Sequence, residues 1–258
     1  MTRQRMYRTP AIVLKRMDLG EADRIVTFFS RDQGKVRAVA KGVRRVTSRS
    51  AGHIEPFTLT DVMFAVGREL DVVSQADTLE AFRHLREDLN LTTHAYYLAE
   101  VVDLLTEEHS ENRAVFDILL DSFRQLCALP DSRLVLIAFH LRLLDALGYR
   151  PELRQCVSCQ IAIEPVPNHF SALQGGALCP SCGPREPTAR PIGVPALKLL
   201  RFVQLTAGQQ SVTVPGHVAR EAEALLRDYA EQIVERRLRS PALMARVSEV
   251  EAYNRPAS

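Results

Sequence analysis

The sequence predicts an α+β protein of more than one domain: an N-terminal five-stranded β-barrel of OB type, then an α-helical bundle that carries a four-cysteine zinc module. Three observations predict it. The first eighty residues hold five short runs rich in Val, Ile, Thr and Phe, separated by glycine-containing breaks. From about Leu79 the apolar residues recur at the 3.6-residue period of a helix. Two C-x-x-C pairs follow, Cys156/Cys159 and Cys179/Cys182, with 19 residues between them.

The strand runs fall at residues 10–17, 23–30, 34–41, 54–65 and 69–79. The breaks are Leu19-Gly20-Glu21, Asp32-Gln33-Gly34, the stretch from Gly42 to Gly52, and Val66-Gly67-Arg68. Five strands in about eighty residues suit a small OB barrel. An SH3-like barrel has the same strand count, and pattern alone does not separate the two.

In the helical part Leu98, Val101, Val102 and Leu105 form one apolar stripe, and Val115, Ile118, Leu119 and Phe123 a second. Leu134, Ile137, Ala138, Leu141, Leu144 and Ala146 form a third, begun by Pro130-Asp131-Ser132 and closed by Gly148. Short links between amphipathic helices make a bundle. Two more helices are expected at 195–206 and 217–238, and a last short one from Ser240-Pro241, with a frayed end at 253–258. The expected division is an OB domain over 1–80 and a helical domain over 81–258, with the zinc module at about 154–185.

The spacing of the two cysteine pairs lies in the range of four-thiolate zinc sites. Each pair turns two sulfurs toward one ion, and two pairs complete a tetrahedron. Such a site has no open position for water, so the expected cofactor is one structural Zn2+ bound by Cys156, Cys159, Cys179 and Cys182. Disulfides are the competing reading. They are disfavoured because the N-terminus lacks a signal-peptide pattern and no apolar run approaches the roughly 18 residues of a membrane helix. A cytoplasmic protein without membrane contact is expected. His53-Ile54-Glu55 matches the H-x-E of zinc deaminases, but it lies about a hundred residues before the first pair, and neither pair follows a proline. The fifth cysteine, Cys127, sits in an apolar helical pattern and is expected to be a core thiol.

The formal net charge of +2 hides an asymmetry. Residues 1–56 hold thirteen basic and five acidic side chains, a balance of +8, so the other 202 residues carry −6. A basic β unit on a mildly acidic body points to a polyanion partner. In Lys35-Val36-Arg37-Ala38-Val39-Ala40-Lys41, alternation sends Val36, Ala38 and Ala40 inward and Lys35, Arg37 and Lys41 to the other face. The next loop adds Arg44, Arg45 and Arg49. These six residues are the expected phosphate contacts. Arg24 is a further candidate, although Asp23 or Glu21 could pair with it instead. Trp is absent and the local aromatics are needed for the core, so electrostatic, sequence-independent binding is expected.

No phosphate loop, G-x-S-x-G or H-E-x-x-H occurs, and the carboxylates show no paired spacing. An enzyme is therefore not expected, nor a small-molecule substrate. The alternative function is a sequence-specific zinc-ribbon regulator that binds nucleic acid. It would need a basic zinc module, whereas no Lys or Arg lies between Cys156 and Cys182.

The chain resembles the RecO family of bacterial recombination mediators. Ala11-Ile12-Val13-Leu14-Lys15, Gly20-Glu21-Ala22-Asp23-Arg24, Gly34-Lys35 and Ala40-Lys41-Gly42-Val43-Arg44-Arg45 look like its OB domain. Leu147-Gly148-Tyr149-Arg150-Pro151-Glu152-Leu153 before Cys156, and Phe170-Ser171 with Gly175-Gly176 before Cys179, look like its helical and zinc portion. The resemblance implies a nucleoid-associated DNA-repair factor that binds single- and double-stranded DNA and anneals complementary strands without ATP. It also implies two partners, RecR and the acidic C-terminal tail of single-stranded-DNA-binding protein (SSB), and through them the loading of RecA. The expected receptor for that tail lies in the helical half, among Leu197, Leu200, Phe202 and Val203 near Lys198 and Arg201, and on the helix with Leu225, Leu226, Arg227, Arg236 and Arg237.

Overall fold

The computed structural model describes residues 5–129, 132–208, 210 and 212–254. They form two compact units. One joins the chain up to Ala128 with the segment from Arg239 onward; the other runs from Leu129 to Leu238. The sequence pattern changes near residue 80, whereas the units divide after residues 128 and 238.

The first unit is built on strands β1 (Met6–Leu19), β2 (Asp23–Ser30), β3 (Gly34–Ala40), β4 (Leu59–Ala65) and β5 (Asp71–Glu80). They close in the order β1-β2-β3-β5-β4. All pairings are antiparallel except β3 with β5, where Ala38 faces Asp71 and Val39 faces Val72. That order is the Greek-key barrel of the OB type, which settles the choice that strand count left open. β1 has 14 residues because it serves two neighbours. Its first half pairs with β4, from Met6 with Ala65 to Ile12 with Leu59, and its second half with β2, ending at Leu19 with Asp23. A register shift between Val13 and Lys15 bends it from one to the other.

Val13, Val26, Phe28, Val36, Ala38, Ala40, Val62 and Phe64 fill the barrel, together with Val43 and Ile54 from the segment between β3 and β4. A short helical turn, Ala51–Ile54, replaces the start expected for β4. Ile12, Leu14 and Phe29 are equally buried but lie outside the barrel cluster. Part of the outer surface is therefore covered too.

Helices α1 (His84–Glu87), α2 (Leu89–Leu105), α3 (Arg113–Ala128) and α7 (Ser240–Asn254) complete this unit. Asp88 begins α2, its side chain accepting the Leu91 N–H, and Asn112 does the same for Val115 in α3. The Glu100 carboxylate on α2 accepts the backbone N–H groups of Arg239 and Ser240, both at 2.8 Å, and so holds the start of α7. The final helix is longer than expected and includes Tyr253 and Asn254. The remainder of the expected frayed end, and Pro130-Asp131, lie outside the described residues.

The second unit contains α4 (Ser132–Ala146), α5 (Val194–Thr206), α6 (Gly216–Ile233) and a three-stranded sheet. That sheet has the order β7 (Gly176–Leu178), β6 (Asn168–Ser171), β8 (Arg190–Ile192). Every residue of α4 from Val135 to Leu141 is buried. A helix apolar on all sides is the centre of its unit.

Candidate nucleic-acid interface and metal centre

The basic loop after β3 is fixed at both ends. Val43 is buried in the barrel core, as is Ile54 beyond the loop. The Gly42 N–H donates to Asp23 Oδ1 at 2.7 Å, and the Arg44 N–H to the Ala22 carbonyl at 2.9 Å. Arg44 Nη1 donates to the Gly20 carbonyl at 2.8 Å, and its Nε lies 3.4 Å from Asp18. Arg24 Nε donates to the same Asp18 carboxylate at 2.8 Å. Asp18 is held below the usual carboxylate range, first by that bond from Arg24 and then by the charges of Arg44 and Arg16. Arg24 and Arg44 are thus seated on the β1–β2 hairpin. Lys41, Arg45 and Arg49 are exposed and, among the described residues, have no side-chain hydrogen bond or ion pair.

The alternation expected of β3 is present: Val36, Ala38 and Ala40 are buried and Arg37 is exposed. Lys35 points outward as well, but only 11% of its side chain is exposed. Its Nζ donates to the backbone carbonyls of Asp103 at 2.5 Å and Thr106 at 2.6 Å. Arg37 lies 3.6 Å from Glu108. The His109 N–H donates to the Lys35 carbonyl, so the α2–α3 link adds itself to the edge of β3. Gly34 permits the approach: at φ +64°, a Cβ there would sit 1.9 Å from the Ser110 carbonyl oxygen. Lys15 also pairs with Asp103, but from the exposed side, with 58% of its side chain open to solvent. Lys35 therefore closes an internal joint, and the uncovered cations begin at Arg37.

In the second unit the four cysteines converge. Their sulfurs all lie within 4.8 Å of one another, and Cys159 and Cys179 are 3.8 Å apart. A tetrahedron with metal–sulfur bonds of about 2.3 Å has sulfur–sulfur edges of about 3.8 Å, so the donor set fits a divalent metal. Each C-x-x-C is a tight turn: the Gln160 N–H donates to the Cys156 carbonyl, and the Cys182 and Gly183 N–H groups to that of Cys179. Gly183 is essential to the second turn, since a Cβ would fall 2.1 Å from His169 Nδ1. Burial opposes ionisation of Cys156, but N–H groups of Cys179, Cys159 and Ser158 outweigh it and bring the thiol down to about 6. The Ile161 N–H favours the Cys159 thiolate, yet the Cys156 sulfur and burial outweigh it and push that thiol up to about 11. Without a cation, four such sulfurs cannot ionise together. Arg201 on α5 braces the module, donating to the carbonyls of Leu153 at 2.8 Å and Ile163 at 3.1 Å.

Other expectations are placed as follows. His53 hydrogen-bonds Thr78 and Glu55 pairs with Arg16, so H-x-E serves barrel packing. Cys127 is only half-buried, because it falls beside the α3 stripe that buries Phe123 and Leu126; burial and Glu80 push its thiol up. Leu197, Leu200, Val203, Leu225 and Leu226 are core residues, while Lys198, Arg236 and Arg237 are exposed. No helix among the described residues is long and apolar enough to cross a membrane.

Fold and site together define an OB-barrel protein with a tetrathiolate module in a separate unit. Comparison with known proteins agrees in both parts. The model of the recombination protein O N terminal matches residues 1–82, and that of the recombination protein O C terminal matches residues 86–242. DNA repair protein RecO of Roseiflexus sp. (strain RS-1) is 44% identical, over 99% of this chain and 91% of its own. RecO of Desulforamulus reducens is 35% identical over 94% and 95%. RecO of Pelotomaculum thermopropionicum is 42% identical over 69% of each. The chain belongs to the RecO family of DNA repair proteins, which are non-catalytic mediators of recombination.

Proposed function

We propose that this chain binds single- and double-stranded DNA through the rim of its barrel and anneals complementary strands. The observation that carries the reading is the pinned cationic loop, whose Lys41, Arg45 and Arg49 face solvent without protein partners. Arg37, Arg44 and Arg24 add charge beside it. Phosphate neutralisation lowers the repulsion between two strands, and base pairing then supplies the driving force. No ATP is needed for that. Lys35 supports the surface from behind, through its joint with Asp103 and Thr106.

The metal of the thiolate cluster is zinc in this reading, held by Cys156, Cys159, Cys179 and Cys182. It supplies no chemistry and closes the fold of its module. The absence of Lys and Arg between Cys156 and Cys182 weighs against base reading there. The partner proteins proposed on family grounds are RecR and the acidic tail of SSB, acting together to load RecA in the cytoplasm at the nucleoid. Exposed Lys198, Arg236 and Arg237 are the cations of the second unit offered to that tail.

The test is DNA binding by the full chain across a salt titration, with strand annealing followed in parallel. The expected result is affinity indifferent to sequence and a log K that falls steeply with log salt, by about 0.7 to 0.9 per phosphate contact. Binding that ignores salt, or charge reversal at Arg44 and Arg45 that leaves affinity unchanged, rejects the loop as the interface.

A further inference from the structure

The tip of the basic loop carries an apolar residue where none is needed for folding. Val46 is fully exposed, the most exposed large hydrophobic side chain among the described residues. It stands between Arg45 and Arg49, with Arg44 tied to the β1–β2 hairpin. The Ser48 N–H donates to the Arg45 carbonyl at 2.9 Å, so residues 45–48 form a turn with Val46 and Thr47 at its centre. Turn centres favour Gly, Pro, Asn and Asp, and two β-branched residues there contribute nothing to the turn. The buried anchors Val43 and Ile54 hold the tip out, so little entropy is lost in presenting it.

Bases need an apolar surface, and the barrel's rings do not offer one. Phe28, Phe29, Phe57 and Phe64 are at most 1% exposed. The Tyr7 ring stacks on Phe64 and its hydroxyl donates to Asp71. The exposed apolar groups near the cations are aliphatic: Val46, and on the hairpin Met17 and Leu19. We propose that Val46 is a wedge against nucleobases, pressing between neighbouring bases while Arg45 and Arg49 hold the phosphates on either side. The inference rests on the reading that this loop lies on DNA and deepens it. In that reading the loop breaks base stacking as well as neutralising charge, which readies a strand to find its complement.

The experiment uses the full chain and oligonucleotides carrying 2-aminopurine, which brightens when it is unstacked. Wild-type protein brightens the probe. Val46→Ser reduces that brightening at least threefold and weakens binding about threefold to tenfold, with the slope of log K against log salt unchanged. Val46→Ile restores the signal. Equal brightening and affinity in wild type and Val46→Ser overturn the wedge and leave the electrostatic reading standing, as does a wild type that never brightens the probe. Arg45→Glu with Arg49→Glu is the separate arm: unchanged DNA affinity in that variant removes the loop from DNA altogether, and the wedge with it.

Discussion

The barrel and the cysteine module keep their shape by opposite means. The barrel closes on itself through five strands and fills its centre with Val, Phe and Ala. On its rim Lys41, Arg45 and Arg49 are exposed and have no protein partner among the described residues. The module has strands of four, three and three residues, too short to stand alone, and converges on four sulfurs instead. The difference teaches where each part is vulnerable. On the proposed reading, the barrel is expected to lose function through changes to its surface, and the module to lose structure through changes to its four cysteines.

The largest effect that could break this comparison is loss of the metal. Metal analysis is expected to give one zinc per chain. Cys156→Ala is expected to lower the melting temperature by more than 10 °C or to make the protein insoluble, given the large folding contribution of structural zinc. Any soluble fraction should still bind DNA. A metal-free chain that is fully folded with reduced cysteines would remove the contrast.

Acid should separate the two units next. His140, in the buried run of α4, is held neutral, its pKa pushed down to about 4 by burial and the nearby Arg227 charge, against the help of the Leu136 carbonyl. The unfolded imidazole titrates near 6.5, so between these values the unfolded chain holds the extra proton. Stability is therefore lost as pH falls through that window, by about 2 kcal/mol between pH 7 and pH 5. Urea unfolding at both pH values measures it. His140→Phe should lose that component, while acid release of the metal would affect both proteins alike.

Two lysines, one near the start of β3 and one just past its end, sharpen the comparison further. Lys35→Met leaves two carbonyls and Asp103 without their donor and should cost about 1–3 kcal/mol of stability, with little change in the salt slope. Lys41→Met should do the reverse: stability within about 0.5 kcal/mol, and a slope smaller by about 0.7 to 0.9 if it holds one phosphate. Identical behaviour of the two would mean that Lys35 leaves its joint in the complex.

Much of this was legible in the sequence because it depends on local spacing. Alternation in Lys35 to Lys41 gave the inward and outward faces, and C-x-x-C repeated after 19 residues gave the cluster. What could not be read was tertiary cover. Nothing near Lys35 announces that Asp103 to His109 will lie over it. The adjacent Phe28 and Phe29 were the available signal: both are buried, which an open barrel wall does not require.

The Glu100 carboxylate that holds the start of α7 also has a consequence for synthesis. α7 packs on α2 within the first unit, so the second unit interrupts the first in the order of the chain. A ribosome that has finished α3 must make about 110 further residues before it reaches Arg239. At roughly 5–20 residues per second that delay is roughly 5–20 s. Throughout it Glu100 waits without its partners, while the unit that carries the four cysteines emerges whole. The unit begun first is thus completed only after the second has been made, by a helix that follows it along the chain.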